Sequence, residues 1–445
     1  MYTRCLTCLR PDGALNRGAS QLISKLDLLT PLRQLGSEFA RERMTQSPVI
    51  RASNRGANQK GLRAYNERLI LSVLHRNGQL PGSEIARQTK LSAQTVSVIL
   101  RKLESDGLVT KGRPSKGRVG KPSIPMALNP KGAISVGCKL GRRGSDVLLT
   151  DLNGLILFRK HIQYDLALPH EVFAFLRAAF SEAVEQIGPE LANKLCGIGI
   201  AAPFEIWKWG ASDGNTPEEF LSWKDVSFEH EVAGFTDLPL YMVNDATSAC
   251  WAEQIYGRGK ALDNFVYFFV STFIGGGVVL GNSVYEGKLG NAGAFGPLRV
   301  GDKAGRTRQL LDIASLHVLE TRLAQSGHDP KQLWSQPQDW DKFSAQVTPW
   351  IDETAHAIAQ ACISACSVID FEAVLIDGYI PDWVRSALVE AVAAYVAKED
   401  SRGLILPNIL AGQVGAEARG IGAACVPVFS QYFLVSKPMA SDGHF

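Results

Sequence analysis

Gln94, Thr95, Ser97, Val98, Arg101 and Lys102 recur on one face of a helical pattern, and Ser92 stands just before it. Short polar side chains near a helix N-terminus, with Arg and Lys further along, suit hydrogen bonding to base edges in a major groove. Shortly after comes KGRPSKGRVGKP, which holds Lys111, Arg113, Lys116, Arg118 and Lys121 among glycines and prolines. Glycines let such a loop narrow enough to enter a minor groove, where cations meet phosphate and the groove's negative potential. The chemistry on offer is recognition of double-stranded DNA.

The elements needed to position those groups lie around them in order. YNERLILSVLHRNG places Leu69, Ile70, Val73 and Leu74 on one side of a helix that stops at Asn77-Gly78. Ser83-Glu84-Ile85-Ala86 opens a short second helix ending by Thr89-Lys90. Ser92 is then the N-cap of a third, from Ala93 to Ser105, with Val96, Ile99, Leu100 and Leu103 as its buried stripe. Leu108-Val109-Thr110 reads as a strand and residues 123–128 as its partner, with the basic loop as a wing between them. Residues 51–122 contain 15 Lys and Arg against 4 Asp and Glu, a local charge of +11 in a chain of +3, whereas residues 123–445 carry −11. Charge alone fits a solvated face equally well, and an isolated loop of this kind fits a flexible linker. Three helices and a basic hairpin in direct succession decide for a winged helix-turn-helix that binds DNA.

At 445 residues the chain has room for two or three domains. A hydrophobic content of 45% and charged content of 20% are those of an ordinary globular protein, and no apolar run reaches the ~18 residues of a membrane span. Eight scattered cysteines without a secretory signal point to a reducing cytoplasm. Cys5 and Cys8 form a CxxC without a partner pair, which does not make a zinc site, and Cys362 and Cys366 read as small buried thiols. Residues 1–50 lack sustained periodicity and read as a poorly ordered extension, with Met44 an alternative translation start. The expected domains are 51–130 for DNA binding, 131–430 for a two-lobed body, and a tail over 431–445.

From Gly132 the pattern alternates. AISVGCKL, DVLLTDL and GLILFRKHIQY form a three-strand meander, followed by a helix over 171–187 and the apolar strand LCGIGIAAP. PLYMVND, a helix ending at Tyr256-Gly257, and the strands NFVYFFVS and GGGVVLGNSVYEG come next. A helix through 355–368, the strand AVLIDG, another helix and a Gly/Ala-rich helix over 415–425 close the chain. Two meander-plus-helix halves argue for an α/β fold with a cleft between two lobes.

NQKGLRAYNERLILSVLHRNG, the basic wing, VNDATSACWAEQIYG, IGGGVVLGNSVYEGKLGNAG and GAEARGIGAA together resemble the ROK family (repressors, open reading frames and kinases) over roughly residues 54–430. The resemblance is strongest to its repressor branch. It implies a winged helix-turn-helix fused to a ribonuclease-H-like (actin-like ATPase, sugar-kinase-like) body. It also places Asn244 and Asp245 at the sugar-binding asparagine and catalytic base, where a helix-capping Asn-Asp pair is the alternative reading. The departures are specific. The family's first phosphate turn, Asp-(Leu/Ile)-Gly-Gly-Thr, is Lys139-Leu140-Gly141-Arg142-Arg143 here, although Arg142 and Arg143 are able to bind an anion. The second, Gly-Thr-Gly-Ile-Gly-Gly-Gly, is Ser271-Thr272-Phe273-Ile274-Gly275-Gly276-Gly277. The sugar-contacting Glu-x-Gly-His is Ala294-Phe295-Gly296-Pro297, and His317 sits without the cysteine cluster of the family's zinc site.

These features predict a transcriptional regulator without enzyme activity, metal or cofactor, a repressor of carbohydrate uptake or catabolism genes. Its expected partners are operator DNA, a sugar or polyol effector at Asn244 and Asp245, and further copies of itself as a homodimer or homotetramer. A sugar kinase that kept a DNA module, and a ligand-independent regulator answering to a partner protein, are the alternatives.

Overall fold

The computed structural model describes residues 59–113, 124–208 and 218–434. The chain divides into two compact units, Met1–Leu62 and Arg63–Phe445. Of the first, only the opening turn of a helix is described.

The second unit begins with the DNA module. Helices α1 (Gln59–Asn77), α2 (Gly82–Thr89) and α3 (Ala93–Ser105) follow in order, with a two-residue strand β1 (Leu80–Pro81) before α2. Strands β2 (Val109–Lys111) and β3 (Pro125–Leu128) form the hairpin stem, and β3 lies between β1 and β2. Val109 pairs with Leu128, and Leu80 with Met126. The expected helices are all present; β1 was not anticipated, because two residues carry no periodicity of their own. The buried stripe of α3 is Val96, Ile99, Leu100 and Leu103, as its spacing predicts. On α1 the fully buried residues are Ile70, Leu71 and Leu74, while Leu69 and Val73 are half-buried. That helix is covered on two sides, so its apolar face is wider than one stripe.

The body repeats one sheet pattern twice. In the first lobe β4 (Ile134–Leu140), β5 (Gly144–Asp151) and β6 (Ile156–Gln163) form the meander, and β7 (Leu195–Ala202) and β8 (Leu240–Asn244) add in parallel, in the order β6-β5-β4-β7-β8. In the second, β9 (Phe265–Val270), β10 (Gly275–Leu280) and β11 (Ser283–Val284) form the meander. Two short strands, β12 (Arg299–Gly301) and β13 (Thr307–Gln309), pair apart from the main sheet. Strands β14 (Ala373–Gly378) and β15 (Asn408–Ala411) complete the second sheet as β11-β10-β9-β14-β15. Parallel strands buried on both faces read as unbroken apolar runs, which is why β9 (FVYFFV) and β14 (AVLIDG) stand out in the sequence.

The main helices of the body are α4 (Pro169–Ala192), α5 (Asp245–Tyr256), α6 (Leu316–Gln325), α7 (Ser344–Cys366), α8 (Asp382–Val396) and α9 (Ala418–Tyr432). α4 outruns its predicted end at 187 because Gly188, at φ 74°, breaks the helix and Pro189 restarts it. α9 ends at Tyr432 rather than 425, and so enters the segment expected to be a tail. Cys138, Cys196, Cys250, Cys362, Cys366 and Cys425 are free and buried, in line with the small-thiol reading of Cys362 and Cys366. No helix of the described residues is long and apolar enough to cross a membrane.

Helices α5 and α9 pack side by side, and the hydrophobic core around them is continuous with that of α1 and α3. A Cβ at Gly422 would fall 1.7 Å from the Ser248 carbonyl oxygen, so only glycine admits this approach. The Ser248 hydroxyl donates to the Arg419 carbonyl at 2.6 Å, a second tie between the two helices.

Candidate functional site

The DNA-facing candidates lie on α3 and the hairpin beside it. Ser92 caps the helix: the Thr95 amide donates to its Oγ at 3.1 Å, and the two hydroxyls are 2.8 Å apart. Gln94, Ser97, Val98 and Arg101 are exposed in succession on the face opposite the core. Val98 is 45% exposed, a large apolar side chain in an otherwise polar row. Arg101 folds back, its Nε donating to the Ser97 carbonyl at 3.2 Å.

Lys102 departs from the expected row. Its ammonium lies 3.1 Å from Glu67 and 3.0 Å from Asp106, so the charge is held between α1 and the end of α3. At the root of the wing, Lys111 pairs with Glu104 at 2.8 Å and Arg113 is exposed. Lys116, Arg118 and Lys121 lie outside the described residues.

The second candidate is a cavity of about 400 Å³ between the two sheets of the body. It is walled by the β4–β5 turn, the ends of β7 and β8, the start of α5, the β9–β10 turn and the start of α9. Asn244 and Asp245 both line it. Asn244 is the N-cap of α5, with Oδ1 accepting from the Ala246 and Thr247 amides at 3.1 and 3.2 Å. The capping reading therefore describes its oxygen.

Asp245 is engaged differently. Its Oδ2 lies 3.3 Å from Nη1 of Arg419, whose guanidinium stacks 5.3 Å above the Phe269 ring. Arg419 is 5% exposed, and its Nε has no partner among the described residues. Sequence reasoning gave GAEARGIGAA no role beyond the resemblance and so missed Arg419. The signal was available, since an arginine stands inside an otherwise Gly/Ala helix start.

The altered phosphate turns sit at the same cavity. Arg142 lies over the Phe273 ring at 5.3 Å, and Phe273 in turn packs against His317 at 5.8 Å. The two bulky replacements thus stack at the mouth of the altered phosphate turns. Lys139 is buried, held by the Gly144 carbonyl at 2.9 Å and by Asp146 at 3.1 Å. Burial pushes the Asp146 carboxyl up, but the Lys139 ammonium and the His161 hydrogen bond outweigh it and hold it below the carboxylate range.

Arg143 corrects one expectation. Its guanidinium does not face a ligand: Nε and Nη2 donate to the two oxygens of Glu320 at 3.0 and 3.3 Å, across the lobes. Trp334 Nε1 donates to the same carboxylate at 2.8 Å, and His317 Nδ1 lies 3.6 Å from it. Of the two arginines, only Arg142 lines the cavity. In the second turn, Gly277 has a packing role, since a Cβ there would come within 2.5 Å of Cys250 on α5. Ala294 and Pro297 line the cavity where the resemblance would place polar sugar contacts. No three His, Cys, Asp or Glu side chains of the described residues gather as a metal site.

Comparison with known proteins matches the ROK family over residues 135–427, and a winged helix-turn-helix DNA-binding pattern over residues 63–110. An uncharacterized protein of Sinorhizobium fredii, y4fQ, is 25% identical over 83% of this chain and 92% of its own length. The xylose repressor of Bacillus subtilis is 26% identical over 55% of this chain, a match that spans 62% of the repressor. Among solved structures, a ROK family transcriptional regulator homologous to the E. coli MLC protein superposes with a TM-score of 0.60 at 19% identity. That superposition covers 82% of this chain and 96% of the other.

Proposed function

The chain belongs to the ROK family and carries a winged helix-turn-helix, and from that premise we propose a repressor of carbohydrate uptake or catabolism genes. α3 reads operator DNA through Gln94, Ser97, Val98 and Arg101, and Arg113, Lys116, Arg118 and Lys121 hold the phosphates. The observation that carries this reading is the capped α3 with Gln94, Ser97, Val98 and Arg101 exposed along one face, beside a basic hairpin. The protein acts in the cytoplasm as a homodimer or homotetramer, in which two DNA modules meet two half-sites. The xylose repressor of B. subtilis supports the repressor assignment as a relative.

The body is the effector domain, with a sugar or polyol derivative bound at Asp245 in the cavity. α5 and α9 both start at that cavity, where Asp245 and Arg419 join them. Their other ends flank His75 of α1, which packs edge-on against Tyr256, Phe429 and Phe433. A ligand that draws Asp245 from Arg419 shifts one end of a helix pair whose far end, about 18 Å along α5, holds the DNA module.

The protein does not phosphorylate sugars. Arg142 and Phe273 fill the turns where nucleotide phosphates lie against bare backbone, and positioning is most of what phosphoryl transfer asks of a protein. Two assays test these readings. The purified chain should shift a duplex from its own upstream region, with affinity falling steeply as salt rises; equal affinity for unrelated duplexes would sink the operator reading. A coupled assay with ATP, magnesium, hexoses and N-acetylhexosamines should stay at background; turnover abolished by Asp245→Asn would instead establish a kinase.

A further inference from the structure

Along the exposed face of α3, Gln94, Ser97 and Arg101 are polar and Val98 is not. Val96, Ile99, Leu100 and Leu103 are buried, so of the large apolar side chains of α3 only Val98 is exposed, at 45%. Helix stability does not account for it, because β-branched valine is a poorer helix former than alanine or a long polar residue. A lone exposed apolar residue is ordinary on a protein surface, and it is the place of this one that matters. Val98 stands in the second turn of a capped helix, among Gln94, Ser97 and Arg101, each of a type that hydrogen-bonds base edges.

Neighbouring contacts narrow what the face offers to DNA. The Thr95 hydroxyl is taken up by the Ser92 cap at 2.8 Å, and the Lys102 ammonium by Glu67 and Asp106. Arg101 has its Nε on the Ser97 carbonyl at 3.2 Å. Gln94 and Val98 are four residues apart, so they project from α3 side by side. In a major groove a glutamine pairs with N6 and N7 of adenine, and the apolar group within reach of a valine is the C5 methyl of thymine. Four residues of α-helix rise about 6 Å, close to two base-pair steps of ~3.4 Å.

We propose that Val98 selects thymine in each operator half-site by contact with its C5 methyl, about two base pairs from an adenine that Gln94 reads. This rests on the reading of α3 as the DNA-reading helix, and adds which base, and which atom of it, the apolar side chain recognises. A·T and T·A pairs present the methyl at opposite sides of the major groove, so the contact also fixes the strand that carries the thymine.

The test uses the full chain and its own upstream duplex, footprinted to locate the protected half-sites. Each thymine of a half-site is replaced singly by deoxyuridine, which pairs in the same way and lacks only the methyl. At one thymine the replacement should weaken wild-type binding about fourfold, the worth of one buried methyl group. Val98→Ala should bind the thymine and uracil forms of that position equally, with a melting temperature unchanged from wild type because the position is exposed. Gln94→Ala should weaken both forms together and keep their ratio, which separates the methyl contact from a general loosening of α3. Single replacement of adenines by 7-deazaadenine locates the base whose N7 matters to wild type and not to Gln94→Ala. A uracil effect at no thymine, one that persists undiminished in Val98→Ala, or a Val98-dependent thymine remote from the Gln94-dependent adenine overturns the proposal. In those cases sequence-selective binding of the upstream duplex still upholds the operator reading. A wild-type chain that binds that duplex no better than unrelated ones overturns the operator reading, and this proposal with it.

Discussion

The Asp245–Arg419 pair offers the sharpest quantitative check. At 3.3 Å and an effective dielectric constant near 20, two unit charges attract by about 5 kcal/mol. Truncating one member of a buried pair typically costs ~3–5 kcal/mol, because the other charge is left buried. Arg419 is 5% exposed and its Nε already lacks a partner, so its guanidinium gains little compensation elsewhere. Asp245 has a side chain 20% exposed to a water-accessible cavity, which lowers the expected cost of Asp245→Ala to about 2–4 kcal/mol. Arg419→Met removes the buried charge and keeps most of the stem's packing. The stranded carboxylate then turns to cavity water, so the loss should be about 1–2 kcal/mol. The double variant should cost less than the sum of the single ones, by at least about 1 kcal/mol. Urea unfolding with tryptophan fluorescence reads all three, and the Asp245→Ala melting temperature should fall by roughly 2–5 °C. Additive losses, or an Asp245→Ala change within about 0.5 kcal/mol of wild type, would refute the ion pair as the tie between α5 and α9.

Three further outcomes follow from other contacts. Arg101→Ala or Gln94→Ala should relax sequence preference in DNA binding, whereas Arg113→Ala and Arg118→Ala should weaken all sequences alike and flatten the salt dependence, measured by competition gel shifts. Burial, aided by Lys260, holds the His75 imidazole down at about 4 from its ordinary 6.5. Below pH 6.5 the unfolded chain takes up a proton that the folded chain refuses. Stability should therefore be full above that pH and fall by up to about 3 kcal/mol as pH drops toward 4. His75→Phe should flatten that fall in urea titrations between pH 4 and 7. Gly422→Ala forces a methyl onto the Ser248 carbonyl and should cost more than about 3 kcal/mol or prevent folding, seen as lost soluble protein or a collapsed melting transition.

Much of this protein is legible in one dimension. The α3 stripe, its serine cap and the apolar strands of both sheets are local properties, set by side-chain period and by the hydrogen-bonding needs of chain ends. They emerge from spacing alone, as does the basic block, because charge adds along a segment whatever its fold. Spacing sets the phase of the exposed face of α3, with Gln94, Ser97, Val98 and Arg101 on it, but half-buried Thr95 and Lys102 are not separable from that row by spacing. Glu67, which binds Lys102, is 35 residues away and on another helix.

The cavity is where local reading ends. Nothing near Arg143 in the chain announces Glu320, 177 residues on, so an apparent anion-binding pair of arginines divided into one clamp between lobes and one cavity cation. Arg419 pairs with Asp245 across 174 residues because α5 and α9 lie close enough that only a glycine fits between them. A side chain's type and neighbours in sequence set what it is able to do. Which charge neutralises it, and whether a ligand finds it available, is decided when distant segments are packed into one low-dielectric interior.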